Sequence, residues 1–470
     1  MPYPRTVAQP NFCVVALLAV TACAGSSAPS TTPPPPSAGL ATPAPTPAPA
    51  PSPSPAPSLA QTAPPAPSDD PLALHRNAIV IDTHNDVTMR LLAGGVNLAN
   101  RLPDGNTDLP RMREGGLDAE FLSVFVPPIL FPGNKAHAEA LRAFDAIDAL
   151  VAANSSDVVL ARTAAEVRAG AAASKTIFLI GVEGGHALGE GTDDQLLERL
   201  ALFARRGARY MTLTWATSNR LGGSSGDAGR TKGLTPLGKR VVAAMNDLGM
   251  MVDISHVADA TFFDAIHASR LPVLASHSSS RALADRPRNM TDDMLRAVRD
   301  NGGAVCVNFG PEFLDAAWAA KLEALEKGVD LPGIVRAHPS DSRGAQEAIW
   351  HRFRELAATL PPVPADKVID HIQHIAQVAG VDHVCLGSDF DGIPAAPQGL
   401  EDVSHMPFIT RELVKRGFSP DDVRKILGEN VLRVLEANER GAKVAGAAPS
   451  SYFATPDASS ASSSTSPAAR

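Results

Sequence analysis

The chain has no long stripe of Lys and Arg, and its formal net charge of -8 goes with a pI of about 5.9. A nucleic-acid partner is therefore not expected. Phosphate binding of the P-loop type is excluded as well, because the Gly/Ser-rich stretch GGSSGD (222–227) has no Lys-Ser/Thr after it. The long apolar run nearest the start, NFCVVALLAVTAC (11–23), is too short to span a bilayer comfortably. Cysteine is scarce, with four in 470 residues, and Cys13 and Cys23 both lie in that run. The other two, Cys306 and Cys385, sit in strand-like apolar stretches, which makes buried thiols the plain reading; a disulfide between them is the alternative in an oxidising compartment.

The first apolar run follows MPYPRTVAQ, whose one charge is Arg5, and reads as a secretory signal. Val20, Thr21, Ala22 and Cys23 resemble a bacterial lipobox, which implies lipidation at Cys23 and a lipid anchor to the membrane. Ala24 in the next position resembles sorting to the periplasmic face of the outer membrane, with a periplasmic or secreted protein as the alternative. Residues 24–70 are almost wholly Pro, Ala, Ser and Thr, too poor in apolar side chains to offset the entropy of ordering them. At roughly 3 Å per residue such a spacer could hold a domain on the order of 100 Å from its anchor. Residues 441–470 read as a second disordered tail, leaving one folded region over 71–440.

Within that region, eight short aliphatic runs recur: IVIDTH (79–84), AEFLSVFV (119–126), TIFLIGVEG (176–184), RYMTLTW (209–215), GMMVDISH (249–256), LPVLASH (271–277), GGAVCVNF (302–309) and HVCLGSDF (383–390). They are continuous rather than alternating, as strands buried on both faces are. Helical patterns separate most of them, including TDDQLLERLALFARR (192–206) and PLGKRVVAAMNDL (236–248), the latter with Thr235 as cap. Eight strands with intervening helices predict an α/β fold, a (β/α)8 TIM-like barrel. The segment SPDDVRKILGENVLRVL (419–435) is expected to close it, and helices within 310–365 to lie over its mouth.

A barrel of this kind brings the C-terminal ends of its strands to one rim. The polar residues at those ends are His84, Asp86, Glu183, His256, His277 and Asp389, all metal-ligand types. Taken singly, each has a bland explanation: a hydrogen-bonded core histidine, a helix cap, or a turn residue in GSDFDG. Together they predict a binuclear metal site, with Glu183 bridging two divalent cations and a hydroxide between them. Mixed imidazole and carboxylate ligands suit two Zn2+ per chain, although manganese and iron also fit the ligand types. His186 is a candidate supporting partner behind Glu183, while His75, His137, His267, His338, His351, His371 and His374 read as surface or core residues.

The motifs VIDTHND, GVEGGH, DISHV, ASHSSSRALADRPRNM and LGSDFDG occur in this order and resemble the membrane dipeptidase (renal dipeptidase) family of barrel metallopeptidases. The resemblance covers roughly 72–437. It implies that His84 and Asp86 bind one zinc, that His256 and His277 bind the other, and that Glu183 joins the two. It also implies that Asp389, near the first metal, handles the proton of the attacking water, so that Asp389 and Glu183 are the catalytic pair. Arg288 would grip the carboxylate of a dipeptide substrate. One position departs from the pattern, since Trp215 stands where mammalian-type members have a substrate-contacting histidine, and an indole cannot carry a proton as imidazolium does. Asn219 or the 221–230 loop could compensate. Two alternatives are kept: a related barrel hydrolase acting on β-lactams, lactones or cyclic amides, and a non-catalytic anchored binding protein. A homodimer is left open.

Overall fold

The computed structural model describes residues 70–227, 229 and 232–443. The expected signal, the lipidation site Cys23, the linker up to residue 69 and the tail beyond 443 lie outside the described residues. No helix among the described residues is long and apolar enough to cross a membrane.

Nine strands run through this region: β1 Ile81–Asn85, β2 Ala119–Phe125, β3 Val158–Leu160, β4 Thr176–Glu183, β5 Ala208–Thr212, β6 Met251–Asp253, β7 Leu274–Ala275, β8 Ala304–Val307 and β9 Val384–Leu386. All pair in parallel in the order β2-β1-β9-β8-β7-β6-β5-β4-β3, and β2 also pairs with β4, so the sheet closes into a barrel. Each of the eight apolar runs overlaps one wall strand. The ninth, β3, pairs with residues 176–178 of β4, while β5 takes residues 180–182. Three residues carry too little periodicity to be read as a strand from sequence.

Burial explains the continuous runs. Every residue of β2 and of β4 is buried, because one face meets the barrel interior and the other meets helices. One apolar cluster draws Ile81, Phe121, Leu179, Tyr210, Met251, Leu274, Cys306 and Cys385 from all eight wall strands. Only the interior of the barrel can touch all eight. Val431, Leu432, Val434 and Leu435 of the helix Asn430–Gly441 join this cluster and stopper the N-terminal end, which leaves the C-terminal rim for polar groups.

Helix ends follow local chemistry. Thr192 forms a capping box with Gln195, and the Thr235 hydroxyl accepts the Gly238 N–H ahead of Pro236. Gly207, Gly249 and Gly302 then end their helices in the left-handed conformation, each at or near the start of the following strand. Between β8 and β9, helices Pro311–Leu314, Ala316–Glu326, Leu331–Ala337 and Ser342–Ala357 form the expected insertion. Its last helix reaches segments that follow β1 and β2, through Arg343 to Glu139 at 2.8 Å and Gln346 to the Met89 sulfur at 2.7 Å.

Cys306 and Cys385 are register partners on β8 and β9, and they form a disulfide with Cα atoms 4.1 Å apart. This corrects the plain reading of two free buried thiols. Burial was legible in the apolar runs, but pairing depends on strand register, which a separation of 79 residues does not disclose.

Candidate metal centre

β1 delivers the first two candidate ligands, and its register against β2 is irregular between Asp82 and Asn85, directly at His84. The His84 Nδ1 lies 2.8 Å from the Tyr210 hydroxyl, which donates its own proton to the Thr83 carbonyl at 3.0 Å. The imidazole therefore donates Nδ1–H, and in its neutral, ligand-competent form it carries its lone pair on Nε2. That Nε2 is buried without a hydrogen-bond partner and faces Asp86 Oδ2 at 3.7 Å, Glu183 Oε2 at 3.7 Å and Asp389 Oδ1 at 4.0 Å. A lone pair and three carboxylate oxygens repel one another, so this geometry suits a cation placed among them.

Tyr210 reaches His84 because its register partner on β4 is a glycine: a Cβ on Gly181 would lie 1.9 Å from the Tyr210 ring carbon bearing the hydroxyl. Space near the first ligand pair is kept in the same way, since a Cβ on Gly392 would lie 2.0 Å from Asp86 Oδ2.

The other imidazoles gather on the second oxygen of Glu183. His256 Nε2 lies 2.9 Å from Glu183 Oε1 and 3.0 Å from His277 Nε2, which is itself 3.5 Å from the same Oε1. Ser276 Oγ donates to Asp253 Oδ2 at 2.7 Å and accepts His277 Nδ1–H at 2.7 Å, which again leaves Nε2 unprotonated. Two candidate ligand groups result, His84 with Asp86 and Asp389, and His84 with Glu183 and His277. His84 belongs to both groups, and its ring stacks on His277 with centroids 3.7 Å apart. The six residues expected at the rim thus meet in one place.

The electrostatics favour positive charge at this point. Burial disfavours the His84 imidazolium, yet Tyr210, Glu183 and Asp86 outweigh it and hold the pKa well above the ordinary value. Burial and the nearby Arg288 push His256 down to about 3, while burial, His84 and Arg288 hold His277 well below its usual range. Asp389 is raised well above the ordinary carboxylate range by burial, although His84 opposes the shift, and Asp86 and Glu183 add to it. Backbone strain marks the same rim. His256, Asp389 and Asp391 have φ of 65°, 63° and 62°, and among the described residues only Ser174 is another non-glycine with positive φ. Such conformations persist where surrounding structure over-determines them, which is common at functional sites.

Over residues 70–448 the sequence matches the membrane dipeptidase family, peptidase family M19. The chain belongs to that family. It is similar to the probable dipeptidase PvdM of Pseudomonas aeruginosa, at 26% identity and a TM-score of 0.65, covering 79% of this chain and 98% of that one. It is also similar to a dipeptidase AC described as a metallopeptidase of family M19, at 29% identity and a TM-score of 0.62, with 77% and 98% covered. A metallopeptidase from Rhodobacter sphaeroides, solved with a phosphinate mimic of the dipeptide L-Ala-D-Ala, aligns at 28% identity and a TM-score of 0.62, with 77% and 100% covered. Family membership and the ligand clusters make this membrane dipeptidase family member a metallo-hydrolase.

Around the ligands of this M19 protein, Arg288 donates from Nη2 to the His277 carbonyl and from Nη1 to Ser278 Oγ, both at 3.1 Å, with its guanidinium 5.3 Å from the Phe313 ring centroid. Its Nε is buried without a partner. Trp215 is half-buried at the rim, 4.9 Å from the Phe125 ring and 6.3 Å from His256 between centroids. Asn219 is tied to its own loop, with Nδ2 donating to the Leu213 carbonyl at 2.9 Å and Oδ1 accepting the Leu221 N–H at 2.7 Å. His186 donates to the Val126 carbonyl at 2.7 Å and makes no hydrogen bond to Glu183 among those described. Asp391 accepts the Asn106 N–H at 3.1 Å and lies 3.5 Å from Arg90, the placement of a loop-holding residue. His75, bonded to Thr410 and the Gly115 carbonyl, and His371, accepting the Ser280 N–H, are core histidines.

Two residues escaped the sequence reading. Asn308 donates Nδ2–H to Asp389 Oδ2 at 2.8 Å, and Tyr210 orients His84. Each sits inside an apolar run, where only the three-dimensional neighbour reveals the role. Tyr210→Phe removes the acceptor for His84 Nδ1–H, and loss of such an orienting partner should weaken metal binding about 10- to 100-fold, read by competition with a chelator. Unchanged affinity would show that packing alone orients the ring.

Glu312, near Arg288 in the insertion, has its pKa pushed up to about 7 by burial, with Glu326 adding to the shift. The folded state then holds this proton more tightly than the unfolded chain does. Its contribution to stability is full below the unfolded value near 4.5 and is lost as pH rises towards 7. Glu312→Gln should therefore stabilise the protein at pH 8 by about 2 kcal/mol and leave it unchanged at pH 4, as measured by denaturant unfolding.

Proposed function

We propose that this protein is a zinc-dependent dipeptidase that cleaves a short peptide carrying a free C-terminal carboxylate. The observation that carries this reading is the position of Arg288. Its Nη2 donates to the backbone of the candidate ligand His277, and it makes no ion pair with a described carboxylate within 4.0 Å. A cation placed so close to the ligand cluster is suited to an anionic group of the substrate, and a planar guanidinium can donate two parallel N–H bonds to a carboxylate. An internal residue of a long chain has no such carboxylate, which accounts for a preference for dipeptides.

His84, Asp86 and Asp389 would hold one ion, His256 and His277 the other, with Glu183 shared. Bound there, the two ions would lower the pKa of a water molecule and polarise the scissile carbonyl. Asp389, kept in place by Asn308, is suited to take the water proton and pass it to the departing amine. Trp215, set between Phe125 and His256, would offer substrate a flat apolar surface with one N–H donor. Export and a lipid anchor at Cys23 rest on residues 1–23 alone.

The test is metal analysis combined with a panel of L,L and L,D dipeptides, the latter included because the Rhodobacter sphaeroides relative was solved with a mimic of L-Ala-D-Ala. Roughly two zinc per chain, activity lost on chelation and restored by zinc, and release of two free amino acids are expected. Hydrolysis of lactones or β-lactams without dipeptide cleavage would favour the related-hydrolase alternative.

A further inference from the structure

The Gly/Ser-rich loop between Leu221 and Asp227 has no role in the chemistry above, yet its hydrogen bonds converge on the backbone of a candidate ligand. His256 adopts the left-handed conformation, with φ of 65°, and its carbonyl accepts the Ser225 N–H at 2.9 Å and the Ser225 hydroxyl at 3.0 Å. The Ser224 hydroxyl stands 3.2 Å from the same carbonyl oxygen and donates more closely to the carbonyl of Trp215. Ser224 also pairs with Val257, the residue after His256, in an isolated antiparallel bridge.

The loop is in turn fixed from behind. Ser218 Oγ accepts the Ser224 N–H at 2.9 Å and donates to Asp227 Oδ1 at 2.7 Å, while Ser224 Oγ accepts the Gly226 N–H at 3.1 Å. Ser224 and Ser225 are both buried, at 0% and 6% exposure, so water does not compete for these bonds. Outside the ligand cluster His256 has no hydrogen-bonded side-chain support, because its Nδ1 is buried without a partner. This sets it apart from His84, held by Tyr210, and His277, held by Ser276. Beyond its contacts with Glu183 and His277, the His256 imidazole is oriented through its backbone.

We infer that Ser224 and Ser225 are positioning residues for the second metal: by clamping the His256 carbonyl, and through Ser224 the Trp215 carbonyl, they set the imidazole over Glu183 and tie the substrate-facing rim to the metal site. This rests on the binuclear reading proposed above. The physical basis is that a ligand in a strained backbone conformation relaxes away from the metal unless its surroundings hold it, and outer partners of metal ligands commonly govern affinity.

The experiment uses the purified, zinc-loaded chain and compares wild type with Ser225→Ala, Ser224→Ala/Ser225→Ala and Ser225→Thr. Zinc per chain is measured after equilibration with a graded chelator series, alongside the thermal midpoint of the metal-free proteins. The double variant should lose one of its two zinc ions at a chelator concentration at least about tenfold lower than wild type, while the other ion stays at its wild-type affinity. Ser225→Thr, which keeps the hydroxyl, should behave as wild type, and in the double variant the loss should stay confined to one ion even where unpaired buried carbonyls lower the metal-free midpoint. Retention of both ions at wild-type affinity in the double variant would overturn the inference. So would equal weakening of both ions with a lowered metal-free midpoint, the signature of a merely structural loop. If the double variant does not fold, the contrast between Ser225→Ala and Ser225→Thr decides by the same criteria. A wild-type chain that binds a single zinc would overturn the binuclear reading itself, and with it this inference.

Discussion

Glu183→Gln should lower kcat/KM for dipeptides by about three orders of magnitude while leaving the fold intact. The carboxylate sends Oε2 towards His84 and Oε1 towards His256 and His277, so its two oxygens face both halves of the ligand set. Glutamine has nearly the same volume and is tolerated sterically, but it removes the negative charge and replaces one acceptor oxygen with a donor. The His256 and His277 lone pairs would then face an N–H group or a weaker acceptor, and one cation would lose part of its neutralising charge. Lewis-acid stabilisation of a developing oxyanion is worth several kcal/mol, and about 4 kcal/mol corresponds to roughly a thousandfold in rate. Steady-state kinetics with excess zinc, together with zinc content and circular dichroism, provide the check. Activity within tenfold of wild type in a protein that still binds two zinc ions would remove Glu183 from the shared position.

Arg288→Met should act differently, reducing capture of substrate more than turnover. The guanidinium is desolvated, which pulls its pKa down, although Asp389 and Glu183 partly offset this, and it is placed by Ser278, the His277 carbonyl and the Phe313 ring. Methionine keeps the stem and its contact with Phe313 while deleting the charge and all five donors. Losing one partner of a buried, charge-assisted pair costs about 2–5 kcal/mol. A fall of about 30- to 5,000-fold in kcat/KM is expected, most of it in KM. Arg288→Lys should recover only part of the loss, because an ammonium group cannot form the paired bonds of the planar fork. Unchanged kcat/KM on dipeptides in the Met variant would falsify the carboxylate role and direct attention to another cation near the rim.

The two variants separate the chemistry from the recognition. His84, Asp86, Glu183, His256, His277 and Asp389 were legible because each sits at the end of an apolar run, and a closed barrel gathers strand ends whatever the details of its loops. Tyr210 and Asn308 were not legible. Their polar atoms act on neighbours 126 and 81 residues away, and nothing local distinguishes them from ordinary members of buried strands. Asn219 shows the reverse case. It looked available because it is polar and close to Trp215, but a loop must satisfy its own backbone groups, and this one uses both ends of the amide to do so.

The number of wall strands, their parallel direction, the polar rim and the types of the six candidate ligands all follow from patterns that recur along the chain, because burial on two faces and helical periodicity leave local marks. Register, backbone sign and pairing across the barrel leave none. Only the tertiary structure decided that Cys306 meets Cys385, that Gly181 makes room for Tyr210, that His256 and Asp389 hold left-handed backbones, and that Ser225 clasps the His256 carbonyl. Each of these depends on the distance between atoms far apart in the chain, a quantity set by the closure of the whole sheet rather than by any one segment of it.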